Sequence, residues 1–168
     1  MADQDRITLD MANENGNAAL FLDLVGTLIR FDDNRSTLRD ARGNLIIELL
    51  PNVAEKLAPM HDHLILIVTN QAGIKRGWFT RDQVEAGLRE LDRQLGDIVT
   101  GWEVCPHDDA DRCDCRKPGA GMIVELARMY GVDLNASTMV GDQAVDEQAA
   151  RAAGVGHFIY AAEFFGWK

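Results

Sequence analysis

The stretch "FLDLVGTLI", residues 21–29, governs the reading of the whole chain. An apolar run from Ala18 to Leu24 carries one carboxylate, Asp23, and breaks at once into a Gly26-Thr27 turn. A short apolar run bounded by turn residues is the pattern of a strand buried on both faces, and such strands build parallel sheets. Four further runs read as strands, the first of them buried as well. His63–Val68 (HLILIV) stops on Thr69-Asn70-Gln71, and Thr138–Val140 runs into Gly141-Asp142. Trp102–Cys105 and His157–Tyr160 complete the set.

Helical patterns lie between them. Pro51 opens a short helix carrying Val53, Leu57 and Met60. Val84, Leu88, Leu91 and Leu95 recur at the spacing of an amphipathic helix, behind a Thr80/Gln83 pair with capping-box spacing. Ile123, Leu126, Ala127 and Tyr130 mark another, closed by Gly131. Val145, Ala149, Ala152 and Ala153 mark the last, closed by Gly154. This alternation predicts an α/β fold with a doubly wound, mainly parallel sheet over residues 18–160. Ligands of such sheets bind beyond the carboxyl ends of the strands, where Asp23, Thr69, Asn70 and Asp142 fall. Residues 30–50 are polar with two turn signals and read as a small flap. Residues 1–17 read as a loosely held arm, leaving 18–168 as one domain.

The composition bounds the partners. The chain has 168 residues, 46% hydrophobic, and a formal net charge of −10. That charge disfavours nucleic acid and anionic membranes, and a phosphorylated small molecule would need local cations to bind. No apolar run is long enough to span a bilayer, and the N-terminal segment lacks the basic and apolar regions of a signal peptide. The expectation is a cytoplasmic monomer acting on a small phosphorylated metabolite.

Carboxylates at two strand ends, Asp23 and Asp142, suit a hard cation such as Mg²⁺. Thr69 offers a hydroxyl to a phosphate oxygen, and Lys117 before Pro118 can neutralise phosphate charge. Such a set around one Asp suits phosphoryl transfer through an aspartyl-phosphate.

These residues resemble the motifs of the haloacid dehalogenase (HAD) superfamily, over roughly residues 18–160. The first motif is Asp23-Leu24-Val25-Gly26-Thr27, the second Thr69 closing LILIVT, the third Lys117, the fourth Gly141-Asp142-x-x-x-Asp146. The resemblance implies a HAD-like Rossmannoid core with Asp23 as nucleophile. It further implies Mg²⁺ held by Asp23, Asp142 and the Val25 backbone carbonyl, with Asp146 supporting the metal waters. Thr69 and Lys117 would hold the transferring phosphoryl group.

All three cysteines crowd into "CPHDDADRCDC", residues 105–115, as Cys105-x-His107, five residues, then Cys113-x-Cys115. Three thiolates and an imidazole form a closed tetrahedral set suited to structural Zn²⁺, placed directly before Arg116-Lys117. The remaining histidines, His61, His63 and His157, read as ordinary surface or core residues. This loop resembles the histidinol-phosphate phosphatase and D,D-heptose 1,7-bisphosphate phosphatase branch of the superfamily, whose members have a minimal cap. "TNQAGIKRGWFT" (69–80) and "CDCRKPGAGM" (113–122) are similar to the heptose enzymes, and the short His107–Cys113 spacing to the histidinol-phosphate enzymes. The substrates implied are phosphorylated sugars or amino alcohols. Asn70, Lys75, Arg76 and Arg116 would line the substrate entrance; Lys75 reads equally well as a solvated surface residue.

Val25 departs from the pattern. Two residues after the nucleophile, the phosphatases carry a second Asp that protonates the leaving oxygen and then activates water. Val25 does neither, although its carbonyl remains available to a metal. Three readings follow: a slow phosphatase, or one with its acid/base elsewhere (Asp32, Asp33 or His107); a long-lived aspartyl-phosphate or another transfer; or a non-catalytic phosphate-binding or regulatory protein. The aromatic tail Phe164-Phe165-Gly166-Trp167 reads as packing onto the core or meeting a partner, with core packing favoured.

Overall fold

A computed structural model describes residues 17–168. The arm expected over residues 1–17 therefore lies outside the described residues except for Asn17, whose carbonyl accepts the Asp133 N–H at 2.9 Å.

Five strands form one sheet: β1 (Ala19–Leu22), β2 (Leu64–Asn70), β3 (Gly101–Cys105), β4 (Thr138–Gly141) and β5 (His157–Tyr160). Their spatial order is β3-β2-β1-β4-β5, and every pairing is parallel. The chain thus builds outward from β1 in one direction and returns to build outward in the other. The doubly wound parallel sheet expected from the sequence is present.

Burial on both faces is written in the alternation of β1. Leu20 and Leu22 join Ile65 and Ile67 under one helical layer: α1 (Val53–Leu57), α2 (Arg81–Gln94) and the C-terminal α5 (Ala161–Phe165). Ala19 and Phe21 join Leu66, Val68 and Met139 under the other: α3 (Gly121–Tyr130) and α4 (Ala144–Ala153). Val84, Leu88 and Leu91 are the buried stripe of α2, and the Thr80/Gln83 capping box closes its N-terminus. Gly131 and Gly154 end α3 and α4 in the left-handed region, at φ 63° and 86°, which lets the chain turn without Cβ strain.

Residues 30–50 form the small flap, held by bridges and turns. Isolated bridges pair Ile29 with Leu49, Phe31 with Thr37 and Arg39 with Leu45. Gln83 of α2 donates to the Arg42 carbonyl at 2.8 Å and pins the outer turn. The aromatic tail packs as expected: Phe164 and Phe165 are buried, Trp167 stacks on Phe165, and its indole N–H donates to the Pro51 carbonyl at 2.6 Å. No described helix is long and apolar enough to cross a membrane.

Candidate active site and metal centres

The reversal of strand order falls between β1 and β4, so the crevice opens above Asp23 and Asp142. The turn after β1 is tight. The Leu24 carbonyl receives the N–H groups of Thr27, Leu28 and Ile29, and Gly26 adopts φ 86°. A Cβ at Gly26 would collide with the Asp142 carboxylate, so glycine is what lets the first motif approach the fourth. The Thr27 hydroxyl bridges the two, lying 3.0 Å from Asp23 Oδ2 and 3.4 Å from Asp142 Oδ1.

Lys117 is buried beneath them. Its Nζ donates to Asp23 Oδ1 at 2.6 Å, Asp146 Oδ1 at 2.7 Å and the Val68 carbonyl at 3.0 Å. Burial works against its charge, but Asp23 and Asp146 outweigh that and hold its pKa above the usual lysine value. Burial pushes the Asp23 carboxyl up; Lys117 pulls it down and Asp142 adds to the rise. Asp146 is raised by burial and by Asp23, against the pull of Lys117. Asp142 is raised chiefly by burial, with Arg35 among the groups opposing it. Three carboxylates with one buried ammonium beneath them form an acidic pocket floor.

That floor fits a divalent cation. Asp23, Asp142 and Asp146 each offer an oxygen within 4.8 Å of the others. Both oxygens of Asp146 are already occupied, Oδ1 by Lys117 and Oδ2 by the N–H groups of Asp142 and Gln143. Asp146 is also the most deeply buried of the three, so a divalent ion in the crevice would be ligated directly by Asp23 and Asp142, with Asp146 behind them. No backbone N–H bonds to the Val25 carbonyl among the described residues, which leaves that oxygen available.

Thr69 ends its strand buried, with its hydroxyl oxygen accepting from Gln71 Nε2 at 3.0 Å. Gln71 Oε1 in turn accepts from the Thr37 hydroxyl at 2.9 Å. With the oxygen accepting from Gln71, the Thr69 hydroxyl still has its proton to donate, and a phosphate oxygen in the crevice would accept it. Asn70 clasps the lysine loop: its Oδ1 accepts the Lys117 N–H at 2.9 Å and its Nδ2 donates to the Lys117 carbonyl at 3.1 Å.

The crevice encloses about 340 Å³ and is lined by Asp23, Val25, Arg35, Thr69, Asn70, Arg76, Arg116 and Lys117, among others. Lys75 is absent from that lining; its ammonium pairs with Asp111 at 2.6 Å and Asp108 at 3.2 Å. The three residues considered as proton donors in place of residue 25 also lie elsewhere. Asp32 accepts the N–H groups of Asn34 and Ser36, and Asp33 is exposed away from the crevice. The His107 imidazole faces the cysteines.

Cys105, His107, Cys113 and Cys115 converge with all four donor atoms within 4.8 Å of one another. Four of the separations run from 3.3 to 3.6 Å, while Cys105 and Cys115 approach to 2.7 Å. A zinc tetrahedron with bonds of about 2.3 Å has edges of about 3.8 Å; four of the separations lie close to that and Cys105–Cys115 is shorter, so the three thiols and the imidazole could hold the ion once that pair parts. Burial raises the Cys105 and Cys115 thiols. In Cys113 burial is overcome by hydrogen bonds from the Arg116 N–H and the neighbouring thiols, which lower its pKa to about 7. The loop also fixes Arg116, which donates to the His107 carbonyl at 3.1 Å and to Asp109 Oδ1 at 2.7 Å.

Sequence reasoning missed Thr27, Arg35, Thr37 and Gln71. Thr27 was in plain view within the first motif. The others sit in loops, and only their contacts with Asp142 and Thr69 reveal them.

Comparison with known proteins agrees with this geometry. A HAD-hydrolase-like family model matches residues 114–163. The chain is 35% identical over 158 residues to a D-glycero-beta-D-manno-heptose-1,7-bisphosphate 7-phosphatase of Rhodopseudomonas palustris, covering 86% of this chain and 84% of the relative. The corresponding protein of Haemophilus ducreyi is 35% identical over 153 residues, covering 83% and 80%. Among solved structures, the D,D-heptose 1,7-bisphosphate phosphatase of B. bronchiseptica, complexed with magnesium and phosphate, superposes with a TM-score of 0.71 at 32% identity. That match covers 83% of this chain and 78% of the other.

Proposed function

This chain belongs to the HAD-like hydrolase family, alongside its heptose bisphosphate phosphatases, and from that premise we propose that it is a Mg²⁺-dependent phosphatase of a small phosphorylated sugar. The observation that carries the proposal is the buried Lys117 ammonium joined to Asp23 and Asp146 on the floor of the crevice. It orients the Asp23 carboxylate and leaves Oδ2, near Thr27, as the oxygen to attack phosphorus.

In the first step Asp23 forms the bond to phosphorus and the sugar oxygen leaves with the bonding pair. The Thr69 hydroxyl donates a hydrogen bond to a phosphoryl oxygen, and Arg116 offers charge at the rim. A divalent ion at Asp23 and Asp142 would supply compensation for the charge of the phosphoryl group. In the second step water attacks the phosphorus of the aspartyl-phosphate, and Asp23 departs as a carboxylate.

Val25 contributes no proton to either step. The leaving oxygen takes its proton from solvent and the attacking water loses its own to solvent. General acid–base assistance is worth about 10²–10⁴-fold, so turnover is slow. A second reading, a phosphate-binding protein without turnover, is favoured by one observation: none of Asp32, Asp33 and the His107 imidazole is available to the crevice.

The test is a panel of sugar mono- and bisphosphates assayed with Mg²⁺ for wild type, Val25→Asp and Asp23→Asn. Slow wild-type turnover, abolished by Asp23→Asn, is expected. A wild type without turnover whose Val25→Asp variant gains it sinks the enzyme reading and leaves the binding protein. An acid-labile phosphoprotein that accumulates in wild type marks a stalled second step.

A further inference from the structure

Each acidic group of the pocket floor has a cation, but not the same one. Lys117 serves Asp23 and Asp146. Asp142 is served by Arg35, whose Nη2 lies 3.2 Å from Asp142 Oδ2. Arg35 comes from a segment remote in sequence, and the segment is built to present it. Asp32 Oδ1 accepts the N–H groups of Asn34 and Ser36 at 2.8 and 2.9 Å, and the Asp32 carbonyl accepts the Arg35 N–H at 2.9 Å. Arg35 itself adopts φ 58°, a left-handed conformation uncommon for a non-glycine residue. Its guanidinium lies 4.4 Å from the centre of the Phe31 ring, which limits where the fork can swing. The side chain lines the same crevice as Val25, Thr69 and Arg116.

Asp142 is one of the two carboxylates left for direct metal ligation. Arg35 therefore holds an oxygen that a divalent ion would claim, and a guanidinium beside that ion would be repelled. Released, it remains on a fixed turn at the crevice wall, and its planar N–H fork matches the oxygens of a phosphoryl group. We infer that Arg35 is an exchangeable cation: it occupies Asp142 until a divalent ion takes that carboxylate, and then contacts the phosphoryl oxygens of the bound substrate. The inference rests on the metal-dependent reading of the site. It makes Arg35 a binding residue that this chain supplies from its own flap.

The test is calorimetric titration of Mn²⁺ in wild type, Arg35→Gln and Asp142→Asn, followed by titration of inorganic phosphate at saturating Mn²⁺. Arg35 is 55% exposed along its side chain, so Arg35→Gln leaves the fold intact, and a melting curve checks this. Arg35→Gln is expected to bind Mn²⁺ roughly tenfold more tightly, the scale of repulsion between a unit charge and a divalent ion a few ångströms apart in near-aqueous dielectric. The same variant is expected to bind phosphate about tenfold more weakly, through loss of charge-assisted hydrogen bonds. Equal Mn²⁺ affinity in wild type and Arg35→Gln overturns the exchange, and unchanged phosphate affinity overturns the second contact. Wild type that binds no better than Asp142→Asn would instead remove the metal-dependent reading, and the inference with it.

Discussion

Lys117→Met is the perturbation that reads the pocket floor most directly. Lys117 is 3% exposed, and its partners Asp23 and Asp146 are 7% and 2% exposed, so solvent cannot take the place of the ammonium. Methionine fills most of the volume but leaves two carboxylates facing each other without a cation. Removing one partner of a buried ion pair costs about 3–5 kcal/mol. At a urea dependence of roughly 2 kcal/mol per molar, the unfolding midpoint falls by about 2 M.

The loss carries a pH signature. Asp23 and Asp146 already sit above their ordinary pKa through burial, and Lys117 is the group that pulls both down. Without it, their folded pKa values rise further above the unfolded value of about 3.9, and the folded state binds more protons than the unfolded one. The destabilisation is complete above the raised folded pKa. It is relieved as pH falls through that value toward the unfolded one. The deficit relative to wild type is therefore largest at pH 7.5 and shrinks toward pH 5. The assay is urea unfolding followed by tryptophan fluorescence at both pH values, with no added Mg²⁺ and no chelator. A variant within about 1 kcal/mol of wild type at pH 7.5, with the same pH slope, would refute the claim that Lys117 neutralises the floor.

Three further outcomes are expected. Cys115→Ser should lower the zinc content of protein purified without chelator from about one ion per chain to well below it, measured by elemental analysis. Gln71→Leu removes the donor to Thr69 Oγ1 and the acceptor for Thr37; phosphate affinity should fall about tenfold or less by calorimetry, while Gln71→Glu inverts the direction of the bond and should weaken binding further. Trp167→Phe keeps the ring stack on Phe165 but loses the hydrogen bond to Pro51, and should cost about 0.5–1.5 kcal/mol in urea unfolding.

The strands were legible because their signal is local. Residues 19–22, 64–70 and 138–141 are apolar runs buried on both faces, and each stops on the polar residue that enters the crevice. Asp23, Thr69 and Asp142 were therefore found by position along the chain. The cysteine set was legible for the same reason, since all four donors lie within eleven residues. Arg76 and Arg116 do line the crevice, whereas Lys75, one residue from Arg76, turns to the acidic pair Asp108 and Asp111. Adjacent basic residues look alike in a sequence; which one faces substrate depends on what packs opposite.

The amino-acid order alone determined the alternation of strand and helix, the carboxylates at the strand ends and the absence of a carboxylate at residue 25. Each of these is a property of residues close in the chain, set by side-chain period and by where polar residues interrupt apolar ones. Tertiary structure decided which charges meet. Lys117 reaches Asp23 across 94 residues and Arg35 reaches Asp142 across 107, because parallel strands bring the segments after their carboxyl ends to one side of the molecule. Electrostatic energy depends on separation in space and on the water excluded between charges, and neither can be read from separation along the chain.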